Sequence, residues 1–366
     1  MIGVIRQLAG KDCFISGIML TAWFILAAFG SQVFYAVFLV PDSSMQEEVI
    51  YEGTSTDYRY QEKFEGTLRH YKEFGSLYRE EESTAIPGLE YTGFGDTYSR
   101  QMVPQGICIA GDYMLVSAYD NGADGKTEPS VIYVLSNTDG RREFLTTLVL
   151  PDVNHVGGIA FDGRYVWIAK STTGYVSGIP YEVIRMAAEA GRDCYVVEQY
   201  AEQLYVGVTA SFVTYDRDRL WVGTYAAAKN AGQLSCYCLV QGEEGIMAVK
   251  EYELRIPSYA QGAAFVSSGG TDYMVLTSSK GRYWDSKIYL YKIHDLANSI
   301  ALYRTGEYRF PPMAEELVSD GTHMYFLFES AATCYSTDRY RKCIYPVDRI
   351  CGVDSQEFLL GKLDGR

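Results

Sequence analysis

The chain has 366 residues, of which 48% are hydrophobic, so one large domain or two smaller ones would fit. Its formal net charge is −14, which argues against nucleic acid and anionic lipid as partners, because both attract patches of Lys and Arg. The 35 glycines and 32 tyrosines suit a protein of many hairpins with aromatic residues on its strands.

The N-terminal segment contains a long uncharged run, from Phe14 to Val40. A helix of this length spans roughly 40 Å, more than the hydrocarbon layer of about 30 Å. The apolar core of a signal peptide is shorter, about 7 to 15 residues. We therefore predict a retained transmembrane signal anchor at residues 13–40, rather than a cleaved signal or a buried helix of a soluble protein.

The charges on either side of this run predict its orientation. Arg6 and Lys11 precede it, whereas Asp42, Glu47 and Glu48 follow it. The positive-inside tendency places residues 1–12 in the cytoplasm as a short tail. The chain is then a single-pass protein of the cell membrane, and everything after Val40 is extracytoplasmic.

Residues 41–87 are charged and rich in tyrosine, and we interpret them as a stalk or linker. Near-helical spacing allows one amphipathic helix here, carrying Phe64, Leu68, Tyr71, Leu77 and Tyr78. Such a helix either holds the next domain off the membrane or packs on its side. Pro87 and Gly88 mark the boundary, and the run 89–94 is predicted to supply an outer strand that closes the following domain.

A repeat organises residues 88–366. Its apolar cores lie about 50 to 54 residues apart and centre on Leu115, Trp167, Trp221, Val275 and Tyr325. Each core follows a turn with Asp or Gly, and another β-type run comes about 15 to 20 residues later, as at 131–135, 181–184 and 344–350. We predict an all-β fold, a five-bladed β-propeller of four-stranded blades. A parallel β-helix has shorter repeats without tight hairpins, and an open sandwich is the other alternative.

Two columns of the repeat face the central channel of such a propeller. The first, where each blade's first strand begins, holds Gln105, Gly157, Ser211, Gln261 and Glu315, with His155 and Glu316 beside it. The second, after each second strand, holds Tyr119, Ser171, Tyr225, Ser279 and Glu329, flanked by Asp120, Lys170, Lys280, Arg282 and Asp285. Positions that only pack should converge on small or apolar residues. The diversity of these columns therefore predicts a ligand site on the channel face.

The chemistry of that face has several interpretations. His155 with Glu315 could hold a divalent metal at the channel mouth, and His155, Glu315 and Glu329 are the candidate catalytic residues if the protein is an enzyme. Alternatively, the amides bond to backbone at the rim and water solvates the acids. In the loop 278–285, an Arg and a Trp could clamp a carboxylate and stack on a ring. The predicted ligand-binding residues are Gln105, Tyr119, Asp120, Lys170, Tyr225, Gln261, Arg282, Trp284 and Glu316.

The chain has eight cysteines, seven of them beyond the apolar run. None of their spacings is that of a zinc finger. A disulfide among Cys334, Cys343 and Cys351 is one option.

Residues 104 to about 350 resemble extracytoplasmic bacterial propellers of the gluconolactonase and glutaminyl-cyclase types. The segment Pro104-Gln-Gly-Ile107 is similar to the T-Q-G-L segment of bacterial and plant-type glutaminyl cyclases. That resemblance implies five blades, cyclisation of N-terminal Gln, and a place for Gln105 in the substrate pocket. Where that family has Tyr-Glu-Ser after a second strand, this chain has Ala118-Tyr-Asp120, and Phe328-Glu-Ser330 occurs in the fifth unit.

These observations lead first to a membrane-anchored binding or interaction module whose channel face takes a peptide, glycan or protein ligand. The alternative is a propeller enzyme with its site at the channel mouth, either a metal-assisted hydrolase or a glutaminyl-cyclase-like acyltransferase. A third is a purely structural role in an envelope complex. A propeller fold does not by itself decide between them.

Overall fold

The structure is a computed structural model that describes residues 53–122, 125–138, 140–229, 232–243, 245–337 and 342–361. The predicted cytoplasmic tail and signal anchor lie outside these residues. Within the described ranges, no helix is long and apolar enough to span a membrane.

The described chain is mostly β-structure with short helices. The helices are α1 (Gln61–His70), α2 (Lys72–Leu77), α3 (Tyr181–Glu189), α4 (Thr333–Ser336) and α5 (Ser355–Leu360). The strands are β1 (Tyr78–Ala85), β2 (Thr92–Gly93), β3 (Tyr98–Ser99), β4 (Met102–Ala110), β5 (Tyr113–Asp120), β6 (Val131–Ser136), β7 (Phe144–Val149), β8 (Val156–Phe161), β9 (Tyr165–Lys170), β10 (Tyr175–Pro180), β11 (Cys194–Val196), β12 (Glu202–Tyr205), β13 (Phe212–Asp216), β14 (Arg219–Thr224), β15 (Gly232–Gln241), β16 (Ile246–Ile256), β17 (Ala260–Ser268), β18 (Thr271–Ser278), β19 (Ser286–Asp295), β20 (Ile300–Phe310), β21 (Ala314–Ser319), β22 (His323–Phe328) and β23 (Arg349–Asp354).

The strands form a five-bladed β-propeller, as predicted. Blade 1 is β4–β7 with β11 added in parallel to β7, and blade 2 is β8, β9, β10 and β12. Blades 3 and 4 are β13–β16 and β17–β20, and blade 5 is β21, β22, β23 and β1. The first strands of successive blades contact one another around the ring, and β21 returns to β4.

The ring is closed by β1, which pairs antiparallel with β23 so that Tyr78 faces Val353 and Ala85 faces Arg349. The predicted closing strand at 89–94 was wrong, because Thr92 and Gly93 pair instead with Ser99 and Tyr98 in a small separate sheet. Strand β1 reads Tyr-Arg-Glu-Glu-Glu-Ser-Thr-Ala, with no apolar alternation. Charged residues are common on outer strands because they discourage pairing with other chains, and they also conceal the strand in the sequence.

Helices α1 and α2 pack on the propeller rather than extending away from it. Phe64 and Phe74 are buried in one core cluster with Phe310 and Phe326 of blades 4 and 5. The buried Arg349 guanidinium lies 3.8 Å from the Phe64 ring centroid. The segment interpreted as a stalk or linker therefore contains two packed helices and the closing strand of the ring.

The predicted strand at 181–184 is the first turn of helix α3. Pro180 occupies the N-cap, and Ile184 and Ala187, three residues apart, bury one face. On the exposed face, Arg185 forms ion pairs with Glu182 and Glu189 at helical spacings. The β-branched run was too short to distinguish a strand from a buried helical turn. In blade 5, only residues 349–350 of the predicted run 344–350 belong to β23.

The Asp-containing turns explain the repeat. Asp162 accepts hydrogen bonds from the Arg164 and Tyr165 backbone N–H groups and, at 2.7 Å, from the indole N–H of buried Trp167. Asp320 accepts in the same way from Thr322 and His323 N–H and from the Tyr325 hydroxyl at 2.9 Å. In these two blades one carboxylate thus fixes both the turn and the aromatic residue of the core, whereas in blade 3 the Trp221 indole N–H donates to the Asp216 carbonyl at 3.3 Å.

The cysteines do not cross-link the described fold. All seven described cysteines are free thiols, so the bridge suggested among Cys334, Cys343 and Cys351 is not formed.

Candidate functional site

β-Bulges re-aim the side chains at the channel mouth. The pairing of the first and second strands shifts register between Pro104 and Gly106, Val156 and Gly158, Ala260 and Gly262, and Ala314 and Leu317. The residues inside these irregularities include Gln105, Gly157, Gln261, Glu315 and Glu316. A bulge breaks the alternation of side chains along a strand, which is how the consecutive Glu315 and Glu316 are both buried. Four of the five predicted first-column positions are therefore bulge residues.

Two carboxyl groups form the centre of the site. Glu315 on β21 and Glu329 just after β22 are 2% and 9% exposed, and their carboxyl groups hydrogen-bond each other. The Gln261 amide donates to Glu315 Oε1 at 3.0 Å, and the Gln105 amide donates to Glu329 Oε2 at 3.0 Å. Residues of the first and second columns of the repeat thus lie together here, and each of the two predicted glutamines donates a hydrogen bond to one of the carboxyl groups.

This carboxyl pair holds a proton at neutral pH. Burial raises the pKa of Glu315 well above its ordinary value, and the Glu329 charge raises it further. Burial likewise raises the pKa of Glu329 to about 7. Two carboxylates in contact cannot both ionise readily, and a hydrogen bond between them needs a proton. The pair therefore retains at least one proton near neutral pH and titrates as a unit.

Tyrosines line the approach to the pair. The Tyr335 phenol of α4 interacts with both Glu329 and Tyr119. Burial, followed by the Glu329 charge, raises the pKa of both phenols, so both stay neutral. Tyr225, at 40% exposure, forms the outer part, and the charges of Glu315 and Glu329 contribute, after burial and Tyr259, to its raised pKa. The approach to the acids is thus aromatic and hydroxylated.

Arg282 brings a positive charge to the same mouth. Its guanidinium lies 4.8 Å from the centroid of the Tyr335 ring. The charge lowers the pKa of Glu329 slightly, against the larger opposite effect of burial. Arg282 therefore stands close to the pair without removing its proton.

His155 and two serines form the other half of the rim. His155 Nδ1 is 3.2 Å from Ser171 Oγ, and its ring centroid is 4.3 Å from that of Tyr119. Ser171 Oγ donates to the Ser211 carbonyl at 3.3 Å. Burial lowers the pKa of His155, which favours the neutral imidazole. His155 thus packs against Tyr119 and Ser171 at the rim.

The predicted metal site gains no support from this geometry. In the part of the chain that the structure describes, no group of three or more His, Cys, Asp or Glu side chains is arranged to hold a metal ion. The carboxyl of Glu315 is engaged with Gln261 and Glu329, and His155 is engaged with Ser171.

Glu316 serves the ring rather than the mouth. Its Oε2 accepts hydrogen bonds from the Ile107 and Ile159 backbone N–H groups, both at 2.9 Å, and the residue is 1% exposed. A Cβ on Gly158 would lie 2.6 Å from Glu316 Oε1, so this glycine makes room for the carboxyl. Glu316 thereby ties the first strand of blade 5 to those of blades 1 and 2, although the sequence had placed it among the ligand contacts.

Asp120 and Lys170 are also occupied internally. The Asp120 carboxylate accepts N–H bonds from Gly122 at 2.7 Å and Glu128 at 3.3 Å, which organises the following loop. Lys170 Nζ is 2.6 Å from Asp152 Oδ2 and 4.1 Å from the Tyr200 ring centroid. Asp120 is thus held by backbone N–H groups and Lys170 by an ion pair, so both predicted ligand contacts already have partners within the fold.

Trp284 lies in a different place from Arg282, although both belong to the loop between β18 and β19. Trp284 is 57% exposed and lines a cleft of about 650 Å³ beside blade 4, together with Lys280. The Arg and the Trp that were predicted to hold one ligand therefore lie in two different places, with Arg282 at the mouth and Trp284 in the cleft.

Tyr335 is the site residue that the sequence missed. It belongs to no column of the repeat, because α4 is inserted between β22 and β23. The available signal was the length of that connection, which is longer than the corresponding turn of blade 1 between β5 and β6. A long connection next to the unit that holds Glu315, Glu316 and Glu329 could have indicated an additional site residue.

Comparison with protein-family models finds no match, and neither does comparison with curated proteins. Among solved structures, similar chains include glutaminyl cyclase of Myxococcus xanthus, with 9% identity, a TM-score of 0.38 and coverage of 69% of this chain and 90% of that chain. An exo-β-1,3-galactanase of Phanerochaete chrysosporium has 10% identity, a TM-score of 0.42 and coverage of 74% and 63%. Hydrazine synthase of Kuenenia stuttgartiensis has 11% identity, a TM-score of 0.35 and coverage of 61% of this chain and 61% of that chain. This chain therefore spans less than two thirds of the length of that protein.

The five-bladed propeller on which the predicted loose resemblance rested is present in the strand order itself. At such identities and TM-scores, no residue role follows from these neighbours.

Proposed function

We propose that the protein is a binding module whose channel mouth captures a ligand through a primary ammonium group, such as the amino terminus of a peptide. The observation that carries this proposal is the buried Glu315–Glu329 pair, which retains a proton near neutral pH and is approached past tyrosine side chains. Carboxyl oxygens accept the N–H bonds of an ammonium group, and aromatic faces attract its charge. Release of a proton would give the pair a further negative charge for the bound cation.

The surrounding contacts support preorganisation of this site. Gln105 and Gln261 each fix one oxygen of the pair, which limits the freedom of both carboxyl groups. The residues before β17 and β21, Tyr259 and Met313, have φ angles of 62° and 65°, a left-handed conformation that is rare for residues with a Cβ. Such strain concentrates at binding and catalytic sites, where surrounding structure maintains it.

The proposal includes a location. Residues 13–40 anchor the protein in the cell membrane with residues 1–12 in the cytoplasm, and the propeller binds its ligand outside. The uncharged run and its flanking charges support this arrangement. Membrane fractionation followed by protease added to intact cells tests it. Recovery of the protein in the soluble fraction, or protection of the propeller from external protease, would contradict it.

Calorimetry with the full chain tests the binding site. The probes are a mixture of tripeptides with free amino termini and the same mixture after N-acetylation. We expect binding of the free peptides only, with loss of about tenfold or more in affinity in Glu329→Gln, since a charge-assisted contact is removed. Glu65→Gln on the exposed face of α1 is the matched control and should bind normally. Equal binding of acetylated peptides would overturn the ammonium proposal.

A second candidate function is acid–base catalysis at the same mouth. The observation that favours it is the pKa of Glu329, raised to about 7, because a group that titrates near neutral pH can both accept and donate a proton. In a cyclase-like reaction, the amino terminus of a Gln peptide attacks its own side-chain amide carbon and ammonia leaves. The Glu pair would accept the amine proton and return it to the leaving group.

Mass spectrometry of peptides with N-terminal Gln distinguishes the two functions. An enzyme would release ammonia from the peptide with a bell-shaped pH dependence, and Glu329→Gln would abolish turnover. Unchanged peptide mass together with retained binding would leave the binding module as the function.

A further inference from the structure

A second site lies on the side of the propeller, in the cleft of about 650 Å³ next to blade 4. Its walls come from the end of β16 and the loop after it, the loop between β18 and β19, and strands β19 and β20. The volume falls within the range of about 300 to 1,000 Å³ that is usual for small-molecule sites. The cleft is thus large enough for a ligand of a few sugar rings.

The cleft is positively charged although the chain as a whole has a net charge of −14. Four basic side chains line it, namely Arg255, Lys280, Lys287 and Arg304. Among the described lining residues, Asp285 is the only carboxylate, and it already accepts hydrogen bonds from the Tyr71 hydroxyl and from Arg309. The acidic side chain within the cleft is therefore neutralised from outside it.

Two of the basic residues have no carboxylate partner. Lys287 and Arg304 share Glu307, the first at 2.8 Å. Neither Arg255 nor Lys280 forms an ion pair with any residue in the described ranges. Unpaired cations inside a concave surface of an acidic protein attract an anion into that surface.

The aromatic residues of the cleft indicate the rest of the ligand. Lys280 Nζ lies 4.5 Å from the Trp284 ring centroid and 5.6 Å from that of Tyr259. Trp284 is 57% exposed, so much of its indole surface is open to solvent. A flat apolar surface beside a cation suits a ring that carries an acid group and has an apolar face.

We propose that this cleft binds an acidic saccharide, a sugar that carries a carboxylate or sulfate group. Lys280 and Arg255 hold the acid group, and Trp284 packs against the face of the sugar ring. A free inorganic anion would leave the indole unused, and a neutral sugar would leave the two cations unpaired. The cleft adjoins the channel mouth, because its residue Tyr259 contacts Tyr225, but its proposed ligand contacts are different residues and do not depend on the function proposed at the mouth.

Binding of defined probes to the purified full chain tests this site. The probes are a tetrasaccharide of glucuronic acid, a sulfated tetrasaccharide, neutral cellotetraose, inorganic sulfate and AMP. We expect one or both acidic tetrasaccharides to bind, with affinity falling as NaCl is added, and cellotetraose to bind at least about tenfold more weakly. Failure of both acidic tetrasaccharides, or tighter binding of AMP, would overturn the proposal.

Variants separate the roles of charge and ring. Lys280→Met and Arg255→Met should each weaken acidic saccharide binding by about tenfold, since each removes a charged hydrogen-bond donor. Trp284→Ala should weaken the saccharide by about fivefold and leave inorganic sulfate unchanged. Lys250→Met on β16 removes the same charge outside the cleft and is the matched control. Equal effects of Lys250→Met and Lys280→Met would reduce the result to net charge and contradict a built site.

Peptide binding at the channel mouth provides an independent readout. Lys280→Met should leave the binding of free-amino tripeptides unchanged. The two proposals therefore fail separately.

Discussion

The channel mouth and the cleft beside blade 4 contrast in charge and in construction. At the mouth, the acids Glu315 and Glu329 are buried and bonded to each other and to the amides of Gln105 and Gln261. In the cleft, Arg255 and Lys280 are exposed and have no ion-pair partner among the described residues. One loop contributes to both, with Arg282 at the mouth and Lys280 in the cleft. The acids of the mouth are packed in the interior of the propeller, whereas the cations of the cleft lie on its surface.

The largest expected difference concerns Glu316, directly below the mouth. Glu316→Ala leaves the buried Ile107 and Ile159 N–H groups without an acceptor. We expect a loss of about 3 kcal/mol or more in the free energy of unfolding, measured with urea. Lys280→Met in the cleft should change it by less than about 0.5 kcal/mol, because the side chain is exposed. Equal losses would mean that the mouth is no more integral to the fold than the cleft.

The pH dependence of stability is the next expected effect, and at the mouth it is carried by Glu329. The pKa of Glu329 is about 7 in the fold and has an ordinary value of 4.5, so the folded state holds more protons between these pH values. The contribution of Glu329 to stability is therefore fully present below pH 4.5 and is lost as pH rises to about 7. The stability of wild type relative to Glu329→Gln, measured with urea, should fall as the pH rises across that range. The opposite shift of His155 is common to both proteins and cancels.

Gly158 tests the packing beneath the mouth. A Cβ here would lie 2.6 Å from Glu316 Oε1 and 2.9 Å from the Phe212 Cα. We expect Gly158→Ala to lower the free energy of unfolding by about 1 to 3 kcal/mol, since the backbone of the next blade must move. Gly66→Ala is the control, because no atom lies within 4 Å of its Cβ and the site is helical, so it should stabilise by up to about 1 kcal/mol. A neutral Gly158→Ala would show that the ring tolerates this displacement.

The smallest expected effect is that of Trp284→Ala on stability. The side chain is 57% exposed and lies outside the core clusters. A thermal unfolding midpoint close to that of wild type is expected, with a change in free energy within about 0.5 kcal/mol. A large loss in the free energy of unfolding would show that the indole stabilises the blade, which would contradict its assignment to ligand binding.

The five blades could be predicted because the residues of the hairpin turns and of the strand cores recur together in the sequence. The turns at Asp162 and Asp320 hold both the hairpin and the aromatic core residue, so the repeat is visible and gives five blades. Strand β1 was missed because its outer position needs no apolar face, and α3 was missed because a short β-branched run fits either structure.

At the site, the two columns correctly brought together Gln105, Gln261, Glu315 and Glu329. Their hydrogen-bonding partners could not be predicted, because bulges and inserted segments decide them. The bulge in β21 buries Glu316, and helix α4 supplies Tyr335 from outside the repeat. Pairing of Lys170 with Asp152 likewise depends on tertiary contacts between residues that no column relates.

The most direct test of the proposed function is proton release on peptide binding at pH 6.5. Calorimetry of free-amino tripeptides in buffers of different ionisation enthalpy measures it with the full chain. We expect wild type to release about half to one proton to the solvent, because the bound ammonium group takes the place of the proton held by the carboxyl pair, and Glu329→Gln to release less. Binding by wild type without proton release would contradict the central role of the pair.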